Sequence, residues 1–181
     1  MATGTLFSAA LSSNSDGWNG FTGVIRIEAS AMSLPSGSIT KLRMRYKAGS
    51  SEGFTVTNTY MEHRASSGDV YDFATTPTQI LFAGSASKTI SAGTTEWSDW
   101  MDFAYNKIDD LLVSFYAGGG AGSDMLSYAL SVTGVNKYDK VANDAATVNK
   151  TGYGTTAGYC GLINAIEYET SDGGAGFFPF F

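Results

Sequence analysis

Residues 49–53, Gly-Ser-Ser-Glu-Gly, have the Gly-x-Ser-x-Gly spacing of a hydrolase nucleophile. That chemistry sets the serine on a sharp turn between a strand and a helix, with a histidine to take its proton. Here residues 54–60, Phe-Thr-Val-Thr-Asn-Thr-Tyr, alternate as a strand does, and His63 is the only histidine. The segment therefore reads as a hairpin turn, and His63 as a surface or interface residue beside Glu62 and Arg64. Two acidic pairs, Asp99 with Asp102 and Asp109 with Asp110, have the residue types of a glycosidase, which holds two carboxyls across a cleft. Their place beside turn residues favours solvated loops. One His and one Cys are too few for a typical zinc site. Ser12, Asn14 and Asp16 have calcium-loop spacing, but Gly23 stands where an EF-hand needs its bidentate Glu. A looser calcium site would have to draw on Asp109, Asp110 or Asp144. Residues 118–123 are glycine-rich but lack the Gly-Lys-Ser/Thr ending of a phosphate loop. No catalytic, cofactor-binding or metal-binding residue is assigned, and no cofactor is expected.

Three other constellations suit recognition better than catalysis. Lys41, Arg43, Arg45 and Lys47 are four of eleven basic residues, at every second position. In a chain of net charge -6 they form a local cationic stripe. It is either a solvated sheet face or a docking face for an acidic neighbour, including another copy of the chain. Trp97 and Trp100 are candidate glycan contacts, since aromatic rings stack on sugars. Three residues apart on one strand they should face opposite sides, one of them in the core. Finally, Phe177, Phe178, Pro179, Phe180 and Phe181 follow a glycine spacer. Burying four Phe rings yields about 6–12 kcal/mol. Fixing five backbone units costs about 5–10 kcal/mol. Such a tail orders only against a prepared groove, and docking onto another subunit is the expectation.

The elements that must position these residues are strands. In Ile39–Lys47, Leu42, Met44 and Tyr46 face one side while the four cations face the other. Similar patterns fall at residues 24–28, 54–60, 79–82, 87–90, 98–103, 111–116, 125–132 and 159–169. In the last, Cys160, Leu162, Asn164, Ile166 and Tyr168 should share a face. Gly, Asn, Asp and Ser cluster between these segments, as turns require. No segment holds a helical period, although residues 71–73 and 142–146 suggest short helical turns. The expected fold is all-β, an antiparallel β-sandwich of jelly-roll type over residues 21–170. Residues 1–20 are expected as an N-terminal arm or loose first strand, and residues 171–181 as a Gly-spaced aromatic arm.

Composition narrows the function classes. A pI near 4.6 argues against nucleic acid and anionic lipid as partners. No run reaches the roughly 18 apolar residues that cross a bilayer. The first 15 residues hold no Lys or Arg, so they lack the basic start of a secretory signal. A single cysteine allows no internal disulfide and suits synthesis in a reducing cytoplasm.

Several segments taken in order carry a resemblance. They are residues 39–43 (ITKLR), 48–56 (AGSSEGFTV), 68–73 (GDVYDF), 97–103 (WSDWMDF), 109–116 (DDLLVSFY) and 161–169 (GLINAIEYE). Together they resemble a β-sandwich module of tailed-bacteriophage structural proteins, also found appended to GDSL-type esterases. The likeness covers residues 22–170 and carries no catalytic motif; Gly-Asp-Ser-Leu itself is missing. It implies a non-catalytic virion component, most simply a head decoration or cement protein on the capsid exterior, made in the host cytoplasm. The partners would be the major capsid protein and copies of this chain, as a trimer or dimer. A tail-fibre or spike module binding host glycans through Trp97 or Trp100 is the alternative, and a stand-alone hydrolase the remaining one.

Overall fold

A computed structural model of the chain describes residues 1–118 and 125–171. Fifteen strands follow one another as β1 (Thr3–Ser8), β2 (Ser13–Ser15), β3 (Phe21–Ile27), β4 (Ile39–Lys47), β5 (Phe54–His63), β6 (Thr78–Gln79), β7 (Lys88–Ile90), β8 (Thr95–Trp97), β9 (Met101–Asp102), β10 (Leu111–Ala117), β11 (Leu126–Ala129), β12 (Val135–Val141), β13 (Gly154–Ala157), β14 (Cys160–Gly161) and β15 (Ile163–Thr170). A 3-10 turn at Ala29–Ala31 is the only helical element among the described residues. The spans 71–73 and 142–146, expected as helical turns, are non-helical turns and bends.

All pairings are antiparallel. One sheet runs β1-β15-β4-β8, with β9 continuing along β4 beside β8. A second runs β13-β12-β3-β10-β5-β6, with β7 also on β5. A three-stranded sheet, β14-β11-β2, completes the set. Merging β6 with β7 and β8 with β9, and setting aside β2 and β11 to β14, leaves eight principal strands. In chain order these form sheets 1-8-3-6 and 2-7-4-5. That is the strand order of a jelly roll, two nested Greek keys closed by pairing the first strand with the last.

The core lies between the two large sheets. Leu42, Met44 and Tyr46 from β4 meet Val113 and Phe115 from β10, Phe54 and Met61 from β5, and Ile25 and Ile27 from β3. Gly23 is needed where it stands: a Cβ there would come within 2.5 Å of the Phe115 ring on the adjacent strand. β10 is buried on both sides, Leu111 to Phe115 without a break. Its second side meets a separate cluster of Val24, Tyr71, Phe73, Leu112, Tyr138 and Tyr153. That cluster is roofed by the loop after β5 and the segment between β12 and β13.

Residues 3–8 are part of this body. β1 pairs with β15 from Thr3 to Ser8, and Leu6, Phe7, Leu11 and Trp18 are all buried. Those four apolar side chains, too sparse to show a period, attach the first 20 residues to the sandwich.

Candidate functional site

The outer face of the β1-β15-β4-β8 sheet gathers most of the recognition residues. β4 alternates as its sequence requires, with Leu42, Met44 and Tyr46 fully buried and Lys41, Arg43, Arg45 and Lys47 half-buried on the outside. The rim strands then bring both tryptophans to that side. Arg45 pairs with Trp97 and Leu42 with Met101. β4 advances three residues between these pairs while the rim advances four, so one residue is inserted, as in a β-bulge. Ser98 takes up the insertion. Its N–H donates to Met44 O at 2.8 Å, and its Oγ accepts from Met44 N at 2.9 Å. Trp100 thereby returns to the face of Trp97, and both are half-buried rather than one being core.

Arg43 is the centre of the cluster. Its Cζ lies 4.5 Å from the Trp97 ring centroid and 4.6 Å from that of Trp100. The Arg45 Cζ lies 5.2 Å from Trp97. Cation–π contacts at such exposure are each worth about 0.5–1 kcal/mol. Arg43 also donates through Nε (2.8 Å) and Nη2 (2.7 Å) to Oε2 of Glu167, its cross-strand partner on β15.

The remaining cations are held as well. Arg45 Nε donates to Asn164 Oδ1 at 2.7 Å. This puts Asn164 on the outer face, not with Ile166, because the register shifts between Ile163 and Ala165. Lys41 is 3.8 Å from Asp102, and Lys47 Nζ donates to Leu11 O at 2.6 Å. The cationic stripe thus lies beside an acidic column, Glu167 and Glu169 of β15, which pair in register with Arg43 and Lys41.

The catalytic candidates are engaged elsewhere. His63 stacks on Phe103 and Tyr105, with ring centroids 4.9 and 5.5 Å away. Its Nε2 accepts from Asn106 N at 3.2 Å, and its Nδ1 faces Glu62 Oε1 at 2.7 Å. The Nε2 lone pair is therefore in use. Asp99 accepts from Ala83 N and Gly84 N, capping the two-residue turn between Phe82 and Ser85, where both backbones have positive φ. Asp110 lies 2.7 Å from Arg26 Nη2, and Asp109 accepts from Asn106 Nδ2. Residues 49–53 connect β4 to β5, but these strands lie in different sheets and do not pair, so the segment is a crossover between the sheets and not the hairpin turn expected. Burial pushes the Cys160 thiol up to about 12. Among the described residues no three His, Cys, Asp or Glu groups gather as a metal site would require.

Sequence reasoning missed the polar centre of the roofed cluster. Lys150 is 1% exposed and lies 3.5 Å from the centroid of Phe73. Its Nζ donates to Thr147 O, and its backbone N–H donates to Asp72 Oδ1. Burial lowers its pKa to about 8, against the opposing pull of Asp144 and Asp72. Tyr153 OH donates to Asp144 Oδ1. A lone lysine in a turn gave no signal for this. The aromatics of residues 68–73 were visible, but not what they would cover.

The tail residues Phe177, Phe178, Pro179, Phe180 and Phe181 lie outside the described residues, as does most of the glycine-rich segment 118–123.

No protein family matches the chain, and no curated protein matches it. Among solved structures, a chain from the structure of infectious bursal disease virus, Gx strain, aligns over 93% of this chain at 10% identity and a TM-score of 0.34. The alignment covers 40% of that longer chain. A likeness at that score carries no inference about fold or function, so the fold rests on the strand topology itself.

Proposed function

We propose that this chain is a virion structural protein of a tailed phage, a head decoration or cement protein that acts by contact and not by catalysis. The single observation that carries the reading is the open sheet face. There Arg43 is held between Trp97 and Trp100 and pinned by Glu167, and no loop cluster covers it among the described residues. Trp and Arg are the side chains that most often carry binding energy at protein interfaces. The resemblance of residues 22–170 to phage structural modules supports the same reading. Jelly rolls recur in viral capsids and in lectins, which is support by fold analogy only.

In this reading the sandwich sits on the capsid exterior and contacts the major capsid protein and copies of itself. The aromatic tail clamps a neighbour. The test is reattachment: purified chain is mixed with particles stripped of it, and bound protein is quantified after density-gradient separation. Saturable binding is expected. Binding no greater than that of an unrelated acidic protein overturns the reading.

A second reading is favoured by Trp97 and Trp100 standing half-exposed on one face: a tail-fibre or spike module that binds host glycans. Tight, W97A-sensitive binding of the isolated protein on a glycan array would select it. An esterase and glycosidase panel tests the non-catalytic assignment, which any turnover abolished by S51A or D99N would reject.

A further inference from the structure

The outer face described above has an internal symmetry of charge. Across it, in strand order, β15 presents Glu167 and Glu169, and β4 presents Lys41, Arg43, Arg45 and Lys47. The acidic and basic columns run side by side, with Glu167 level with Arg43 and Glu169 level with Lys41. Consider a two-fold axis parallel to the strands, lying over the gap between β15 and β4. Rotation about it exchanges the two columns and keeps every level. The acidic column of one copy then stands over the basic column of the other. This is what an isologous contact requires, one patch that complements itself.

Three details fit a partner of this kind. Both Arg43 contacts fall on Oε2 of Glu167, so Oε1 is left for a further donor. The Glu169 carboxylate has no ion-pair partner among the described residues, and the rotation sets it over Lys41 of the second copy. Arg43 and Glu167 side chains are only 31% and 27% exposed, so much of their desolvation has already occurred on folding. A partner bearing one sign of charge would meet like charges in one of the two columns.

We propose that this face binds a second copy of the chain, sheet against sheet about that axis, with Arg43 and Glu167 near the axis and Trp97 and Trp100 toward the edge of the contact. The proposal assigns a surface to the self-contact within the reading above, and depends on that reading for its role but not for its occurrence. The size of the face sets the strength. Four strands about 4.8 Å apart and about 27 Å long offer roughly 500 Å² per copy. The total of about 1,000 Å² is at the lower limit for a specific interface, so the dimer is weak and concentration-dependent.

Sedimentation of the full chain from about 1 to 500 μM tests this. A monomer–dimer equilibrium weakened by 0.5 M salt is expected. R43E/R45E and E167R/E169R should each raise the dimer Kd at least 30-fold. Mixing the two variants should restore dimers. Should either double variant fail to fold by near-ultraviolet circular dichroism, K41E and E169R replace them, since Lys41 and Glu169 stand on one level, Lys41 reaches only the exposed Asp102, and Glu169 makes no ion pair, among the described residues. A monomer throughout the range overturns the proposal, as do dimers that survive both variants or a mixture that stays monomeric. So does a wild-type monomer that dimerises only as F177S/F178S/F180S/F181S, which would give the face to the chain's own tail. A chain that dimerises but does not attach to particles sinks the virion reading alone. A monomer that attaches sinks this proposal alone.

Discussion

The two large sheets turn different surfaces outward. Behind the β13-β12-β3-β10-β5-β6 sheet, loops fold over a second apolar cluster that holds Phe73, Tyr71, Tyr138 and Tyr153 around Lys150. On the outside of the β1-β15-β4-β8 sheet, side chains pair with one another and nothing comparable covers them among the described residues. Strand alternation is clear on β4, whose outer positions are charged. It is absent on β10, where residues on both sides are buried and, Ser114 apart, apolar from Leu111 to Phe115. A strand that is apolar on both sides needs a cover on each, and here loops supply the second one. The open sheet has no such need, so its outer positions remain available for contact with another molecule.

The largest break in this contrast should come from the roof. F73A removes a side chain 1% exposed at its centre and should cost about 3–5 kcal/mol in urea unfolding. W97A on the open face should cost about 1 kcal/mol or less by the same measurement. Comparable losses would mean that the open face is also a core.

A charge buried under the roof should make stability depend on pH. Unfolded Lys150 keeps its proton up to its ordinary value of 10.5, whereas in the folded protein burial lowers that value to about 8. Above pH 8 the unfolded state therefore holds more protons, and stability rises with pH by about 1 kcal/mol per unit. Cys160 acts in the opposite sense above its ordinary value of 9.0, because its thiol is pushed up to about 12 in the fold. The window to read is thus pH 8 to 9. K150M should lose the rise there in denaturant titrations at the two pH values.

Smaller effects belong to the open face. R43A should lower stability by about 1 kcal/mol, the sum of a half-exposed ion pair and two ring contacts less what solvent restores. R43K should recover little of it, since an ammonium lacks the planar guanidinium that the two rings flank. D102N should move the unfolding midpoint by less than about 0.5 kcal/mol, because that side chain is 93% exposed.

How much of this was legible depends on what each residue does. The alternation of β4 reads directly because one side is apolar and the other charged. β12 escaped notice because Val135 and Tyr138 are its only buried apolar residues. Its Lys137 instead sets its ammonium over two rings, Nζ lying 4.8 Å from the Trp18 ring centroid and 4.7 Å from that of Tyr159. A sequence pattern counts a lysine as solvent-facing even where its ammonium sits over aromatic rings. The tryptophan cluster was half legible. Both residues stood out, but period two sent them to opposite sides, since one inserted residue leaves no mark in the composition. The acidic column was hidden for a different reason. Glu167 and Glu169 lie more than a hundred positions from Arg43, and only the closure of β15 onto β4 brings them together.

The inserted residue between Trp97 and Met101 also has a meaning for descent. Loss of one codon between the two tryptophans would leave them two apart, which regular alternation also sets on one face, so the Arg43 stack would persist while every pairing between the inner strands stays as it is. The rim of the open sheet can therefore shorten in one genetic step without losing what it grips. The roofed sheet, whose aromatics interlock across two loops, needs several coordinated ones, so variation among descendants should collect at the rim first.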